Sequence, residues 1–424
     1  MSASAPGWRI DGAIDEPARV KKLTRMRSRL PAGLAAFSLV LPLLAFISLS
    51  FIAPLGALLG KSAYQPQVAN ILPQTMQALD QWAGVGLPPE AAFAALAKEL
   101  PKARAERTLV RVGGPVNRLR GGMRSVLTRT ARTLEKTAAA DGSWSKTLVD
   151  IHPAWAEPGT WLAIKQAGAR FTIRHYLQAL DLEQRQDGSI GQRPEELRIY
   201  TPLMWRTLLV SLGVTLLCLA IGYPIAYMIA TAPPRRGHLL LLMVLVPFWT
   251  SLLVRTTSWI VLLQRQGVIN SLLVSLGLTP DSGRLEMIYN MTGSFVAMTH
   301  VLLPFMVLPL YSVMRAIPPS YMAAAASLGA SPVQAFTRVY LPQTMPGIGA
   351  GALLVFILAI GFYITPALVG GRTGQLISGM IAYHVQTSLN WGLAAALSSI
   401  LLLAVIGLYL LYSRVLGIER LSLG

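Results

Sequence analysis

Charge is scarce in this chain, and negative charge is scarcest of all. Only 13% of its 424 residues are charged, while 53% are hydrophobic; soluble domains average roughly 25% charged residues. With a mean hydropathy of +0.51, an ordinary water-soluble domain is excluded and a membrane protein is expected. After Glu196 the only acidic residues are Asp281, Glu286 and Glu419, all near or beyond the ends of apolar runs. Proton- and sodium-driven carriers place ionisable groups inside the helix bundle, so uphill transport here would have to draw its energy from elsewhere. One cysteine, Cys218, excludes an internal disulfide framework. No H-E-x-x-H, paired-cysteine or G-x-S-x-G pattern occurs, and the five histidines (His152, His175, His238, His300, His384) lack metal-ligand spacing. "GALLGKS" at 56–62 has three residues between its glycines, where a phosphate-binding loop needs four. The chain thus carries no sign of an enzyme, a metal site or a cofactor of its own.

What the chain does have is long apolar runs. A spanning helix needs about 20 mostly apolar residues, and six stretches qualify: 31–60, 207–231, a third from His238, Met287 to Met314, about Pro346 to Gly370, and about Trp391 to Ser413. At about 30 residues the first is too long for a signal-peptide core and reads as a retained span. Basic residues in short segments mark the cytoplasmic side. Arg19, Lys21, Lys22, Arg25, Arg27 and Arg29 precede the first run, so the N-terminal segment 1–30 should be cytoplasmic. Counting six crossings puts Arg235 and Arg236, the segment with Arg315 and Arg338, and the tail 417–424 on the same side. Residues 61–200 then lie outside as one long insertion.

That insertion holds 19 of the 37 Lys and Arg and 13 of the 19 acids. Its middle, residues 98–136, has eleven basic residues against three acidic. Apolar residues recur at Leu109, Val112, Val116, Leu119, Met123, Leu127 and Leu134, roughly at helical spacing, with "GG" at 113–114 and 121–122. A small helical domain is expected, its stripe turned either toward its own core or toward anionic lipid headgroups or a soluble partner.

Between the fourth and fifth runs, "YMAAAASLGASPVQAFTRVYLPQTMPGI" at 321–348 reads like soluble protein. The alanine run favours a helix that Gly329 can end in left-handed geometry. Ser331 can cap a second helix with Pro332 at its first position, which Pro342 should stop. Val333, Phe336 and Tyr340 would share one apolar face turned to the cytoplasm.

The twenty residues 323–342, "AAAASLGASPVQAFTRVYLP", resemble the EAA loop of binding-protein-dependent ABC importer permeases. Its pattern is Glu-Ala-Ala, three residues, Gly, nine residues, Ile, one residue, Leu-Pro. Ala324, Ala325, Gly329, Val339, Leu341 and Pro342 stand at the matching positions, and Ala323 replaces the glutamate. The resemblance implies that a loop at 317–345, including Ala330, Ser331 and Phe336, docks on a separate cytoplasmic ATPase dimer that binds ATP and Mg. "FTIRHYLQAL", "LLCLAIGYPIAYMIA", "LVPFWTSLLVRTTSWIVLLQRQGVIN" and "FYITPALVGG" narrow it to the spermidine/putrescine permease subfamily. It further implies an all-α membrane protein of type I ABC importer (MetI-like) architecture, with six transmembrane helices and a helical extracytoplasmic insertion. Five of those helices would form a core at 201–416. Expected partners are a second permease subunit, an extracytoplasmic substrate-binding protein and the lipid bilayer of a bacterial inner membrane, with no nucleic acid.

For the solute path, Arg255 follows sixteen uncharged residues, and an arginine at membrane depth is costly enough to suggest a role. Trp249, Thr250, Ser251, Tyr363, Thr365 and Asn390 could line a cavity with it, where aromatic faces hold a polyamine without carboxylates. Packing and membrane-interface roles account for the same residues. Three other readings stay open at this point: a permease for another small polar solute, an ion-coupled carrier, and a membrane anchor for the insertion.

Overall fold

The computed structural model describes residues 32–136, 143–184 and 189–416. The N-terminal segment 1–30 and the tail 417–424, for which cytoplasmic positions were expected, lie outside these. The chain divides into two units, Met1–Leu58 and Leu59–Gly424. In the first, the apolar run forms a helix from Ala32 to Ile47, widened by a π turn at Ser48–Ile52, and then resumes.

The second unit begins with the insertion. Helices Glu90–Ala105, Leu109–Leu119, Met123–Leu134 and Pro158–Gly168 pack with shorter ones around their own apolar centre. Trp155, Trp161, Phe93 and Leu96 are almost fully buried there. The Trp161 indole donates to the Trp155 carbonyl (3.1 Å) and the Trp155 indole to Thr130 Oγ1 (2.9 Å), so neither polar edge is left bare. The stripe expected from the sequence points into this centre: Leu109, Val112, Val116, Met123, Leu127 and Leu134 are all buried. It is therefore core and unavailable to lipid. Gly113 and Gly114 sit inside a helix, whereas Gly122, at φ +84°, makes the break between two. Two three-residue strands, Leu182–Gln184 and Ile190–Gln192, pair antiparallel as a small exception to the all-α architecture.

Among the described residues, five helices are long and apolar enough to cross a membrane: Leu39–Gly60, Tyr200–Thr231, Met291–Ala316, Pro332–Gly361 and Trp391–Arg414. The expected third span departs from this. It consists of two helices, Pro234–Trp249 and Leu252–Ser275, bent by 98° at Thr250 and Ser251. Pro247 removes one donor just before the bend and the Ser251 hydroxyl accepts from the Leu253 amide, starting a new helix in a new direction. The fifth span also differs, starting at Pro332 instead of near Pro346 and ending at Gly361.

The second, fourth and fifth spans form the centre of the bundle. Within the second, Thr207 and Thr215 return their hydroxyls to carbonyls one turn back, whereas the buried Ser211 hydroxyl has no partner among the described residues. Gly347 and Gly351, one turn apart on the fifth span, let it approach the fourth closely; a Cβ at either would meet the Pro309 or Met306 carbonyl at 3.2 Å. The sixth span packs on the insertion's end and the start of the second, through Ala179, Tyr200, Leu203, Leu393 and Leu397.

Asp181 joins these parts. Its buried carboxylate accepts from the amides of Ile199 (3.2 Å), Tyr200 (3.2 Å) and Thr201 (2.6 Å), the first turn of the second span. Asp181→Ala would strand these donors and should cost about 2–3 kcal/mol, read as a lowered unfolding midpoint in detergent; Asp181→Asn should recover part of it.

Candidate functional site

The segment between the fourth and fifth spans is two helices around a bend. The first, Ser320–Ser327, ends with Gly329 at φ +85°. The Ala330 amide bonds the Ala325 carbonyl and the Gly329 amide the Ala326 carbonyl, each at 3.0 Å, which is the Schellman closure that glycine makes inexpensive. The second helix opens with a reciprocal cap: Ser331 Oγ accepts from the Gln334 amide, and the Gln334 side chain accepts from the Ser331 amide. Pro342 does not stop it. A π turn at Phe336–Tyr340 widens the backbone ahead of the proline, so the Leu341 amide reaches the Phe336 carbonyl. The ring of Pro342 is thereby accommodated, and the helix runs on into the fifth span.

The apolar face is also different from the expected one. Phe336 and Tyr340 turn inward, packing edge-on against Tyr223 and Tyr227 of the second span at centroid distances of 5.3–6.2 Å. Ala325 is buried, while Ala330, Val339 and Leu341 are half-buried. What faces outward is Tyr321 (48% exposed), Leu328 (89%) and Val333 (71%), beside Ala324, Gly329, Ser331, Pro342 and the Arg338 side chain. Tyr321 and Leu328 were missed by sequence reasoning. The available signal was a large aliphatic residue directly before a helix-ending glycine, a position that packing rarely covers.

On the membrane side, Trp249 (73% exposed), Thr250 and Ser251 form the exposed bend of the broken span. One turn on, Arg255 is half-buried and its Nε has no hydrogen-bond partner among the described residues. Next to it, Thr256 Oγ1 lies 3.2 Å from Thr365 Oγ1, which brings this helix against Tyr363 and Thr365. Beside the bend is a largely apolar cavity of about 360 Å³ lined by residues such as Met228, Met243 and Leu303, with His300 as a polar exception. His300 accepts from the Trp259 indole at 3.1 Å, an ordinary packed histidine as its isolation in the sequence suggested.

Asn390 does not join this group. It lines a crevice between the insertion and the start of the sixth span, with Gln65, Arg118, Arg174 and His175. Contact there is tight: a Cβ on Gly392 would fall on the Gln65 amide and the His175 ring. Among the described residues no cluster of three or more metal-ligating side chains exists.

The sequence pattern of the family described as "Binding-protein-dependent transport system inner membrane component" matches residues 222–417. A spermidine/putrescine transport system permease protein, PotB of Haemophilus influenzae, is 37% identical over 200 residues, covering 47% of this chain and 69% of its own. The chain belongs to this family of ABC importer permeases. PotB of Escherichia coli is 38% identical over 218 residues (50% of this chain, 78% of that one), and the E. coli inner membrane ABC transporter permease protein YdcU is 33% identical over 226 residues (51% and 71%). This permease is accordingly a multi-pass inner membrane protein that works with a binding protein and an ATPase. It is not itself catalytic, needs no cofactor, and leaves ATP to the partner ATPase. Family membership also removes the ion-coupled carrier and the simple anchor as readings.

The crevice generates a pH prediction. Burial, and then the charges of Arg174 and Arg118, push the His175 imidazole down to about 4 from an ordinary 6.5. A histidine lowered in this way binds fewer protons when folded than when released. The stability it confers is therefore full above about pH 6.5 and is lost as pH falls toward 4. In chloride buffers the unfolding free energy should fall through that window by up to roughly 3 kcal/mol, lowering the unfolding midpoint, and His175→Gln should flatten the drop.

Proposed function

We propose that this permease imports a polyamine-like solute of the spermidine or putrescine class, and that the segment 317–345 couples it to ATP hydrolysis. The observation that carries the substrate reading is the 38% identity to the E. coli spermidine/putrescine permease across half of this chain. In this reading 1–30 and 417–424 face the cytoplasm, 31–60 crosses the membrane, and 61–200 stands outside. The 201–416 core faces a second permease chain, with two ATPases below and the binding protein above. Trp249, Thr250, Ser251, Arg255, Tyr363 and Thr365 border the solute path; Asn390 is set apart from it.

The exposed trio Tyr321, Leu328 and Val333 supports the docking assignment, because apolar side chains held out on two short capped helices fit a groove on a soluble partner. Gly329, a matched position, and Ser331 beside it shape the bend that presents them. Phe336 and Tyr340 tie it back to the second span.

A second reading is favoured by one observation. The unpartnered Nε of Arg255, with no acid in the second to sixth spans, suits a solute bearing an anionic group.

Proteoliposomes holding the permease pair, the ATPase and the binding protein decide between these. ATP-dependent uptake of labelled spermidine or putrescine is expected; competition by anionic solutes but not by polyamines would favour the second reading. Leu328→Asp should leave membrane insertion intact and cut uptake and coupled ATPase activity by about tenfold or more. Gly329→Asp should do likewise through backbone strain, since open space surrounds the missing Cβ. Normal uptake by both variants would sink the coupling assignment.

A further inference from the structure

The crevice at the foot of the sixth span has a chemistry that neither the transport path nor the coupling loop uses. Its walls bring together Arg118, Arg174, His175, Gln65, Gln178 and Asn390, around a volume of about 70 Å³. That is several times the 10–15 Å³ or so one water requires, and far too small for a solute-binding chamber.

The groups present are overwhelmingly donors. Gln65 Nε2 donates to His175 Nε2 at 2.6 Å, which leaves the ring proton on Nδ1. That Nδ1 is buried and unpartnered, on a residue only 7% exposed. The Asn390 side chain, 5% exposed, has no hydrogen bond among the described residues; its buried Oδ1 is an acceptor, and its amide nitrogen is the group that can donate into the crevice. Arg174 gives one bond, from Nη2 to the Gln166 carbonyl at 3.3 Å. Arg118 stands at the exposed mouth with no ion pair among the described residues. No carboxylate lines the crevice. Two guanidinium groups held beside a buried ring N–H without a counter-charge raise the energy of this junction, and an anion accepting from them would lower it. The size and the fork-shaped donors match tetrahedral oxyanions, which guanidinium groups bind with paired N–H bonds.

We propose that this crevice binds one small oxyanion of the phosphate type, and that the bound anion pins the insertion to the first turn of the sixth span. Phosphate oxygens reach such a site either as the free ion or on a lipid headgroup.

The test uses the full-length permease in alkyl maltoside and chloride buffer. Sodium phosphate or sulfate is titrated against sodium chloride at matched ionic strength. The expected result is a rise of the tryptophan-fluorescence melting midpoint and a roughly tenfold slower protease cleavage within 61–200, specific to the oxyanion. In a second arm the protein is placed in bilayer discs with or without phosphatidylglycerol and no free phosphate; protection confined to this arm assigns the headgroup as the source. Arg118→Gln and Arg174→Gln should each weaken the response by about tenfold. Should either fail to fold, Asn390→Asp supplies a carboxylate inside the crevice. It should raise the midpoint without phosphate and abolish the phosphate response. Equal effects of phosphate, sulfate and chloride, together with no lipid effect, would overturn the proposal.

Discussion

One buried carboxylate sets the frame of the larger unit. Asp181 sits at the end of the insertion in left-handed backbone geometry and takes the first three free amides of the 32-residue second span. A helix start in a poorly hydrated place leaves donors that must be satisfied by something, and here the partner comes from the preceding domain. The span's position is thereby tied to the insertion, and the fourth and fifth spans build on it. The aromatic cluster of Tyr223, Tyr227, Phe336 and Tyr340 then ties the segment between the fourth and fifth spans to the same helix at its other end. Both ends of one rigid element thus hold peripheral parts in register.

Polar groups in the bundle follow the same economy. Threonines return their hydroxyls to their own helix, Asn290 caps the fourth span by accepting from Gly293 (3.1 Å), and Tyr223 bonds Thr344 across two spans at 3.1 Å. Among the described residues, buried groups without a partner remain at Ser211, Ser294 and Thr299 in the bundle, at Arg255 beside the bend, and at His175 and Asn390 in the crevice. Since an unpaired buried polar group costs stability, such sites are where interactions with other molecules are to be sought.

Much of this was legible in the sequence. Hydropathy found the apolar runs because length and composition alone decide them, and Gly329 and Ser331 announced a bend that the hydrogen bonds make in detail. The alternation at Leu109 to Leu134 announced helices with a buried side. Three things were not legible. The 98° break at Thr250 and Ser251 looks, by hydropathy, like a continuous run. Pro342 promised a stop, but a π turn, which has no composition signature, absorbed the ring. The direction of Phe336 and Tyr340 depended on the aromatic neighbours on the second span, more than a hundred residues away, and no local pattern reports a distant partner. Asn390 stands apart from the other candidates for the same reason: its surroundings come from the insertion, far away in the sequence.

The π turn has a mechanical meaning. Because it lets the helix pass Pro342, Pro332 to Gly361 is one 30-residue rod, about 45 Å from end to end at 1.5 Å per residue. Val333 stands near one end of this rod, and Gly347 and Gly351, where it meets the fourth span, lie near its middle. A force applied at Val333 would therefore turn the rod about the glycine seam and move its two ends in opposite senses.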